Sequence, residues 1–247
     1  MKINDIISFT DEIAPFDTAE EWDNVGLLVG SERSDIKRIL LALDITVGVV
    51  EEAREKDCGL IVSHHPVIFS PIGSISPDSA VYKLIKYGIA ALCLHTDLDR
   101  AENGVNTALA TALGLKNTIL YPEDFIVVGD TESAYTADDY AAVIKERLNA
   151  PSVRYTSGKV SRVAVSSGGG GEGVELAGKY GFDAFVTGEM KHHQYIFAIE
   201  KGIAAFDAGH FPTEDVVIKP LCDMFRKRFP DTEFIISQSS ACPYKSV

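Results

Sequence analysis

Histidine and carboxylate side chains recur at three places in this chain, each soon after a short apolar run. These side chains are His64, His65, His95, Asp99, His210 and Glu214. Neutral imidazoles and carboxylates together are ligands for zinc, iron, manganese or nickel, whereas calcium and magnesium sites are built from oxygen atoms. The residue types therefore predict a site for zinc, iron, manganese or nickel, formed where these three parts of the chain come together.

The adjacent pair His64 and His65 has two interpretations. Successive side chains on a regular strand point to opposite faces of the sheet, so both can bind a metal only if the strand ends before them. Pro66 favours such an end, because the residue before a proline is pushed out of helical geometry. From this feature alone, a capping or core role for the two histidines stays open.

The number of candidate donors bears on the number of ions. A catalytic zinc normally takes three protein ligands, and a set of five of these six side chains suits a pair of ions that share a bridging carboxylate. Two divalent ions bring a charge of +4 and two carboxylates return −2, so such a site is locally positive. We therefore expect a small anionic or phosphate-bearing substrate.

Regular elements must position these residues, and the pattern predicts an α/β protein with a substantially parallel sheet. Short β-branched runs alternate with segments of helical period. The predicted strands are residues 38–43, 59–63, 90–94, 160–166, 184–187, 204–207 and 233–236. The predicted helices lie near residues 46–57, 79–88, 104–114, 137–149, 172–181, 191–201 and 213–228. The candidate donors thus follow strand ends, where ligands of open α/β sheets bind.

Part of the pattern repeats within the chain. The apolar run that begins at Arg38 recurs at Arg162, an offset of 124 residues, and the tetrapeptide GIAA at Gly88 recurs at Gly202, an offset of 114. A duplication explains both matches, and a longer loop in the first copy explains the change of offset. The alternative is that unrelated βαβ units share the same residue preferences.

The repeat predicts the domain organisation. We expect an N-terminal α/β half at residues 1–120 and a C-terminal α/β half at residues 121–247, with a metal-binding cleft between them. Equivalent strand ends in the two halves then carry the candidate donors.

Composition and charge exclude other classes of protein. The net charge is −13 and no long basic run occurs, so nucleic acid is an unlikely partner. Hydrophobic residues make up 46% and charged residues 24%, as in an ordinary globular protein. The chain shows neither the apolar core of a secretory signal nor an apolar stretch that could span a bilayer. We therefore expect a cytoplasmic protein with no membrane partner.

Four motifs resemble the GTP cyclohydrolase 1 type 2 (Nif-three-like) family. They are residues 21–30 (EWDNVGLLVG), 63–66 (SHHP), 95–99 (HTDLD) and 209–214 (GHFPTE). They occur in the family's order, and the resemblance covers essentially the whole chain. It implies an α/β fold of two similar halves, a dinuclear metal site in the cleft and a toroidal homohexamer. The domain that some relatives carry in mid-chain is expected to be absent, since the connection between the halves is too short for it.

The resemblance also implies roles for individual residues. It implies two divalent ions per chain, zinc, iron or manganese, whose ligands are His64, His65, Asp99, His210 and Glu214. It makes Asp99 or Glu214 the bridging carboxylate and His95 a neighbour of the site. Where the family often has an aspartate, this chain has Glu189 before Met190, and Thr107 after Asn106. These departures concern substrate detail, because neither touches an implied ligand.

Three functional hypotheses follow. The leading one is a metal-dependent hydrolase that acts on a nucleotide or another phosphorylated small molecule, with His95 as the candidate catalytic acid or base. His192 or His193 could take that role instead, although a solvated or cleft-lining position is favoured for both. The second hypothesis is a non-catalytic metal-binding scaffold or metal-handling hexamer.

The third hypothesis is a nucleotide-binding redox protein. Residues 168–173 (GGGGEG) satisfy the pattern G-x-G-x-x-G after a predicted strand, although four consecutive glycines match almost any glycine pattern. A tight turn or an anion-binding turn explains the run equally well. Outside this loop, Trp22 and Asp23 could line the cleft, and a structural packing role is the alternative for Trp22.

Overall fold

The computed structural model describes residues 1–246. The strands, in chain order, are β1 (Gly26–Val29), β2 (Arg38–Ala42), β3 (Leu60–Ser63), β4 (Ala90–Cys93), β5 (Lys116–Tyr121), β6 (Ile126–Thr136), β7 (Arg154–Tyr155), β8 (Lys159–Ser166), β9 (Ala184–Thr187), β10 (Ala204–Asp207) and β11 (Glu233–Ile236).

The α-helices, in chain order, are α1 (Ile3–Ile13), α2 (Val47–Glu55), α3 (Ala80–Tyr87), α4 (Thr96–Arg100), α5 (Val105–Ala112), α6 (Ala137–Arg147), α7 (Ala177–Tyr180), α8 (His192–Lys201), α9 (His210–Glu214) and α10 (Ile218–Arg228). Short 3₁₀ helices lie at Phe16–Thr18, Pro122–Asp124, Gly171–Leu176 and Asp215–Val217.

The chain divides into two compact units. Unit 1 comprises Met1–Ala101 and Ile218–Ala241, and unit 2 comprises Glu102–Val217 and the residues from Cys242 onward. This division differs from the predicted halves, 1–120 and 121–247, because the chain returns to unit 1 at Ile218. The return is required by β11, which pairs in parallel with β2 at the edge of the unit 1 sheet.

The sheet of unit 1 has five strands in the order β1-β4-β3-β2-β11. Strands β2, β3, β4 and β11 are parallel, and only β1 runs antiparallel, against β4. Every residue of β3 and β4 is buried, which is why these strands are continuous small or apolar runs in the sequence. Because β3 and β4 are parallel, their carboxyl ends lie at one edge of the sheet, where the residues after each strand can meet.

The sheet of unit 2 has six strands in the order β5-β6-β8-β9-β10-β7. Strands β8, β9 and β10 are parallel, and the flanking strands β6 and β7 are antiparallel to them. Alternate residues enter separate hydrophobic clusters on the two faces: Val163 and Val165 belong to one, and Ala164 belongs to the other. Both faces of the central strands are thus buried.

The strand register supports the internal repeat. Ile39 pairs with Leu60 in unit 1, and Val163 pairs with Ala184 in unit 2, each partner shifted by the same 124 residues. Gly88 and Gly202 end helices α3 and α8 in the same left-handed conformation, with φ of 68° and 69°. The α/β fold of two similar halves is therefore confirmed at the level of strand pairing and helix ends.

Two predicted helices are divided, and the one near residues 172–181 consists of a 3₁₀ helix, Gly171–Leu176, followed by α7. The periodicity predicts a single helix over residues 213–228, and the structure has α9, a 3₁₀ turn at Asp215–Val217, and then α10. Pro220 accounts for the break, because a proline has no N–H to donate and its ring clashes with the carbonyl four residues earlier, that of Val216. The boundary between the two units falls at this break.

None of the helices in residues 1–246 combines the length and the apolar character that crossing a bilayer requires.

Candidate metal centre

His64 and His65 directly follow β3, so the strand ends before the pair. His64 is 1% exposed, and its Nδ1 lies 2.9 Å from the carbonyl oxygen of Leu94. His65 is partly exposed, and its Nδ1 lies 2.8 Å from Asp44 Oδ1. Both oxygens can only accept a hydrogen bond, so Nδ1 carries the hydrogen in each ring. Nε2 of each imidazole is then the atom able to bind a metal.

His95 is oriented in the same way from the end of β4. Its Nδ1 lies 2.8 Å from Asp23 Oδ1, and the side chain of Asp23 is fully shielded from solvent. Burial raises the pKa of Asp23, but hydrogen bonds from His95 and Thr96 outweigh burial and hold that pKa below its ordinary value. An ionised Asp23 accepts the Nδ1 hydrogen of His95 and leaves Nε2 available.

His64, His65 and His95 form one donor group in unit 1. One ligand atom from each lies within 4.8 Å of the ligand atoms of the other two. Three imidazoles converge in this way, each with its ring fixed by an oxygen acceptor, which is the arrangement seen around metal-binding histidines. The described residues therefore include a group that could hold a metal ion, and His95, expected as a neighbour, lies within that group.

Two aspartates follow on α4. Asp99 Oδ1 lies 3.8 Å from His64 Nε2, so the predicted carboxylate ligand is next to the imidazole group. Asp97 is fully buried, and its Oδ1 accepts a 2.6 Å hydrogen bond from the backbone N–H of His95. Burial raises the pKa of Asp97 to about 7, against the hydrogen bonds from Leu98 and His95 that lower it. Asp97 thus shapes the start of α4.

Unit 2 carries a second donor group at the end of β10. His210 Nε2 lies 2.9 Å from Glu214 Oε2, one helical turn along α9, and Glu214 is 4% exposed. His210 Nδ1 lies 3.1 Å from Glu189 Oε1. The imidazole is therefore oriented by a carboxylate, as in unit 1, and its Nε2 lies beside a buried carboxylate.

The glycine run lies against this second group. A Cβ at Gly168, where φ is +52°, would come within 1.9 Å of Glu214 Oε1 and 3.0 Å of His210 Nε2. A Cβ at Gly171 would come within 2.4 Å of the carbonyl oxygen of Glu189. Close packing therefore requires glycine at these positions, and the segment that follows is a 3₁₀ helix, Gly171–Leu176. A dinucleotide fingerprint opens an α-helix, so these contacts favour the tight-turn interpretation.

A cavity of about 610 Å³ opens beside His210 within unit 2. Its volume is in the range of small-molecule sites. Charged residues of both signs line it, namely Arg154, Glu172, Glu189, Lys191 and Asp207. Asp207 is 4% exposed and accepts hydrogen bonds from the Met190 N–H at 3.1 Å and the Tyr195 hydroxyl at 3.0 Å. The cavity thus has a fixed polar wall next to a candidate ligand.

The remaining candidates, His192, His193 and Trp22, are exposed side chains. His192 and His193 are exposed on α8, and neither belongs to a donor group found among residues 1–246. Trp22 is 58% exposed, so it is not part of the buried core.

Asp44 and Glu189 orient candidate ligands, a position that the sequence analysis does not identify. Each accepts a hydrogen bond from a candidate ligand 21 residues away in the chain. The available signal is their position, since Asp44 follows β2 and Glu189 follows β9 at the carboxyl ends of parallel strands.

Known proteins of one family match this chain over nearly its whole length. A family model described as Duf34/NIF3 (NGG1p interacting factor 3) matches residues 1–243. A protein of Clostridium acetobutylicum named GTP cyclohydrolase 1 type 2 homolog is 33% identical, over 99% of this chain and 98% of the relative. A protein of Clostridium perfringens with the same name is 31% identical over 100% of both chains. The crystal structure of a Staphylococcus aureus hypothetical protein matches with a TM-score of 0.93 and 31% identity, over 100% of this chain and 99% of that one.

Proposed function

Because the chain belongs to the Duf34/NIF3 family, we propose that it is a metal-dependent hydrolase that acts on a nucleotide or another phosphorylated small molecule. The observation that carries the proposal is the group formed by His64, His65 and His95, whose ligand atoms lie within 4.8 Å of one another. Each ring has an oxygen acceptor at Nδ1, so Nε2 of His64 and of His65 is the atom able to bind a metal, and Nε2 of His95 is the atom able to carry a proton beside them. The name of the two Clostridium relatives supports a hydrolytic activity.

We propose two divalent ions, zinc, iron or manganese, held by His64, His65, Asp99, His210 and Glu214. The chemistry of these donors fits such ions, since imidazole nitrogens are combined with carboxylate oxygens. The donors of the two units then serve one centre, with Asp99 or Glu214 as the bridge, and the metal-binding cleft between the predicted halves stays a prediction. The family resemblance and the order of the motifs support this sharing.

Two bound divalent ions would supply a nucleophile at neutral pH and stabilise the negative charge that develops on the substrate. His95 would hold or move a proton at Nε2, because its Nδ1 hydrogen is engaged by Asp23 at 2.8 Å.

The substrate is proposed to be small and anionic. Two ions and two carboxylates leave the centre with a charge of +2, although the whole chain carries −13. The cavity beside His210 has the volume for a molecule of nucleotide size, about 610 Å³. Arg154 and Lys191 line this cavity and could contact phosphate oxygens.

Metal analysis tests the proposal most directly. Protein purified without chelator is expected to contain close to two transition-metal ions per chain by elemental analysis. The double variant His65→Ala with Glu214→Ala should contain essentially none. The matched control, His192→Ala with His193→Ala, removes two exposed imidazoles and should keep the metal. Full metal content in the first double variant would contradict the proposed centre.

Activity is tested on the reconstituted protein. A screen of nucleotides and phosphoesters, with the protein loaded separately with zinc, manganese and iron, should return hydrolysis with at least one metal. Metal binding without turnover on any compound would support the alternative, a non-catalytic metal-binding scaffold.

We also propose a homohexamer, on the family resemblance alone. Light scattering should give roughly six times the chain mass of 26.8 kDa. A monomer at micromolar concentration would contradict this proposal.

A further inference from the structure

Two large aromatic side chains of unit 1 are left in solvent. Trp22 is 58% exposed and Phe69 is 52% exposed. Their ring centroids lie 5.8 Å apart with an angle of 45° between the ring planes. Adjacent exposed aromatic side chains mark a contact site more often than an isolated exposed residue does.

The backbone that carries these two rings is tied to the rest of unit 1. Asp23, next to Trp22, accepts hydrogen bonds from the Thr96 N–H at 3.0 Å and from Thr96 Oγ1 at 2.5 Å. The side-chain amide of Asn24 donates a 2.5 Å hydrogen bond to the carbonyl oxygen of Ile68. The segments before Phe69 and after Trp22 are therefore joined, and the rings are held in position without being buried. A site organised in this way loses little conformational entropy when a ligand binds.

The two rings continue the imidazole group of the candidate centre. The ring centroids of Trp22 and Phe69 each lie 6.3 Å from that of His95, at angles of 78° and 81°. The His95 ring in turn lies 5.2 Å from that of His64 and 5.6 Å from that of His65. A flat molecule on the aromatic pair would therefore reach the candidate proton carrier and the metal donors.

We propose that Trp22 and Phe69 form a stacking site for a planar heteroaromatic ring of the substrate, such as a nucleobase. This inference rests on the proposed function, because it assigns the ring-bearing part of the substrate to the same centre. Aromatic side chains stack on the π-face of any base, so the site selects for a ring and not for one base. Two aromatic side chains are enough to contact a single planar ring. A stable interface between protein copies would instead need about 800 Å² on each partner.

Intrinsic fluorescence tests the stacking site, because Trp22 is the only tryptophan of the chain. The intact protein would be titrated with guanosine 5′-monophosphate and, separately, with ribose 5-phosphate, which has the sugar and the phosphate but no ring. Both titrations would be run on metal-stripped and on zinc-loaded protein, with correction for absorbance by the base. The nucleotide should quench Trp22 saturably in both preparations, and ribose 5-phosphate should leave its emission unchanged.

Two variants locate the effect. Phe69→Leu should weaken nucleotide binding about tenfold, within the range of one lost stacking contact. The control Ile85→Ala changes a side chain of the same unit that is 58% exposed on α3, and it should bind like the unchanged protein. Unfolding curves of both variants should match that of the unchanged protein, which separates lost stacking from lost folding.

Several results would overturn the inference. Absence of saturable quenching by the nucleotide, or equal quenching by ribose 5-phosphate, would show that no ring stacks on Trp22. A shift of the emission maximum with protein concentration alone would show that a second copy covers the pair, together with the exposed Ile72 and Ile75 of the same loop. If the protein bound metal but the nucleotide gave no quenching, the proposed function would survive and this inference would fail. If it bound no metal but the nucleotide still quenched, the proposed function would fail and the stacking site would stand.

Discussion

The two units use equivalent backbone positions for different tasks. His65 follows β3, and the position 124 residues later is Glu189, which follows β9. In unit 1 this position supplies a candidate ligand, whereas in unit 2 it supplies the carboxylate that orients His210. The comparison shows that the parallel strands fix where a side chain emerges, and that the residue after the strand decides its chemical role.

The position after the first strand of each repeat shows the same divergence. Asp44 follows β2 and holds the ring of His65 at 2.8 Å, and the residue 124 positions later is Gly168. Gly168 has no side chain, and its backbone packs against Glu214 and His210. Unit 1 therefore orients its donors with a side chain at this position, and unit 2 encloses its donors with backbone.

The largest expected effect is on metal binding. It distinguishes one metal centre shared by the two units from two independent metal centres. His65→Ala in unit 1 and His210→Ala in unit 2, tested singly, should each weaken the binding of both ions by about a hundredfold or more, because the donors of both units are proposed to serve one centre. Elemental analysis after dialysis measures the ions that remain. A variant that keeps one fully occupied ion would show that the units bind metal separately.

The role of His95 is the next test. His95→Asn should leave the metal content nearly unchanged and lower turnover by about a hundredfold, the usual range for a positioned acid or base. Asp99→Asn should lower metal content and turnover together, since it removes a bridging charge. Loss of metal in His95→Asn would make His95 a third imidazole ligand beside His64 and His65. Unchanged turnover would remove it from the mechanism.

A pair of neighbouring glycines tests how unit 2 encloses its donors. Gly168→Ala places a Cβ against the buried Glu214 at a positive φ, and should lower the free energy of unfolding by about 2 kcal/mol and reduce metal content. Gly169→Ala is the matched control, because a Cβ there meets nothing within 4 Å. Urea unfolding and elemental analysis measure both effects. Equal behaviour of the two variants would show that close packing at Gly168 does not matter.

Acid should affect unit 1 through Glu52. This carboxylate of α2 accepts hydrogen bonds from Ser237 Oγ at 2.6 Å and from the backbone N–H groups of Gln238 at 3.0 Å and Ser239 at 2.9 Å. Burial raises the pKa of Glu52, but these bonds and Lys56 lower it, to about 2 from an ordinary 4.5. The equivalent position of unit 2, 124 residues later, is Leu176, so unit 2 lacks this anchor.

Because the folded-state pKa of Glu52 is lowered, its stabilisation is present above pH 4.5 and is lost as the pH falls toward 2. Glu52→Gln should therefore lower the free energy of unfolding by about 2 kcal/mol at pH 7 and by much less near pH 2. Urea unfolding at a series of pH values measures this difference. A difference that stays constant with pH would show that the charge of Glu52 contributes nothing.

The sequence predicts the seven parallel strands, β2, β3, β4, β8, β9, β10 and β11, because most of them are continuous small or apolar buried runs. It does not predict the antiparallel strands β1, β5, β6 and β7, and the residues of β5 are mostly exposed. The break before α10 is visible only through Pro220. It also does not predict that α10 and β11 return to unit 1, since strand pairing between distant segments leaves no local pattern.

The candidate site is also predicted only in part: the sequence identifies its metal donors but not the residues that orient them. The residues after the strand ends identify the imidazoles and carboxylates, and the spacing of four residues identifies His210 with Glu214. The acceptors that orient the imidazoles are missed, because Asp44 and Glu189 are brought to their partners by the parallel register. The position of Trp22 is left open, because the sequence pattern does not distinguish an exposed tryptophan from a packed one.

The discontinuity of unit 1 has a consequence for the order of events during synthesis. Arg38 in β2 and Glu233 in β11 are 195 residues apart in the chain, and they lie on adjacent strands. While the ribosome is still making the segment between them, the edge of β2 has no partner, whereas the central strands of unit 2 are made in one stretch. An unpaired sheet edge is a site for association with other chains. The newly made protein is therefore exposed to aggregation until α10 and β11 leave the ribosome. A chain truncated before β11 would keep the edge of β2 unpaired.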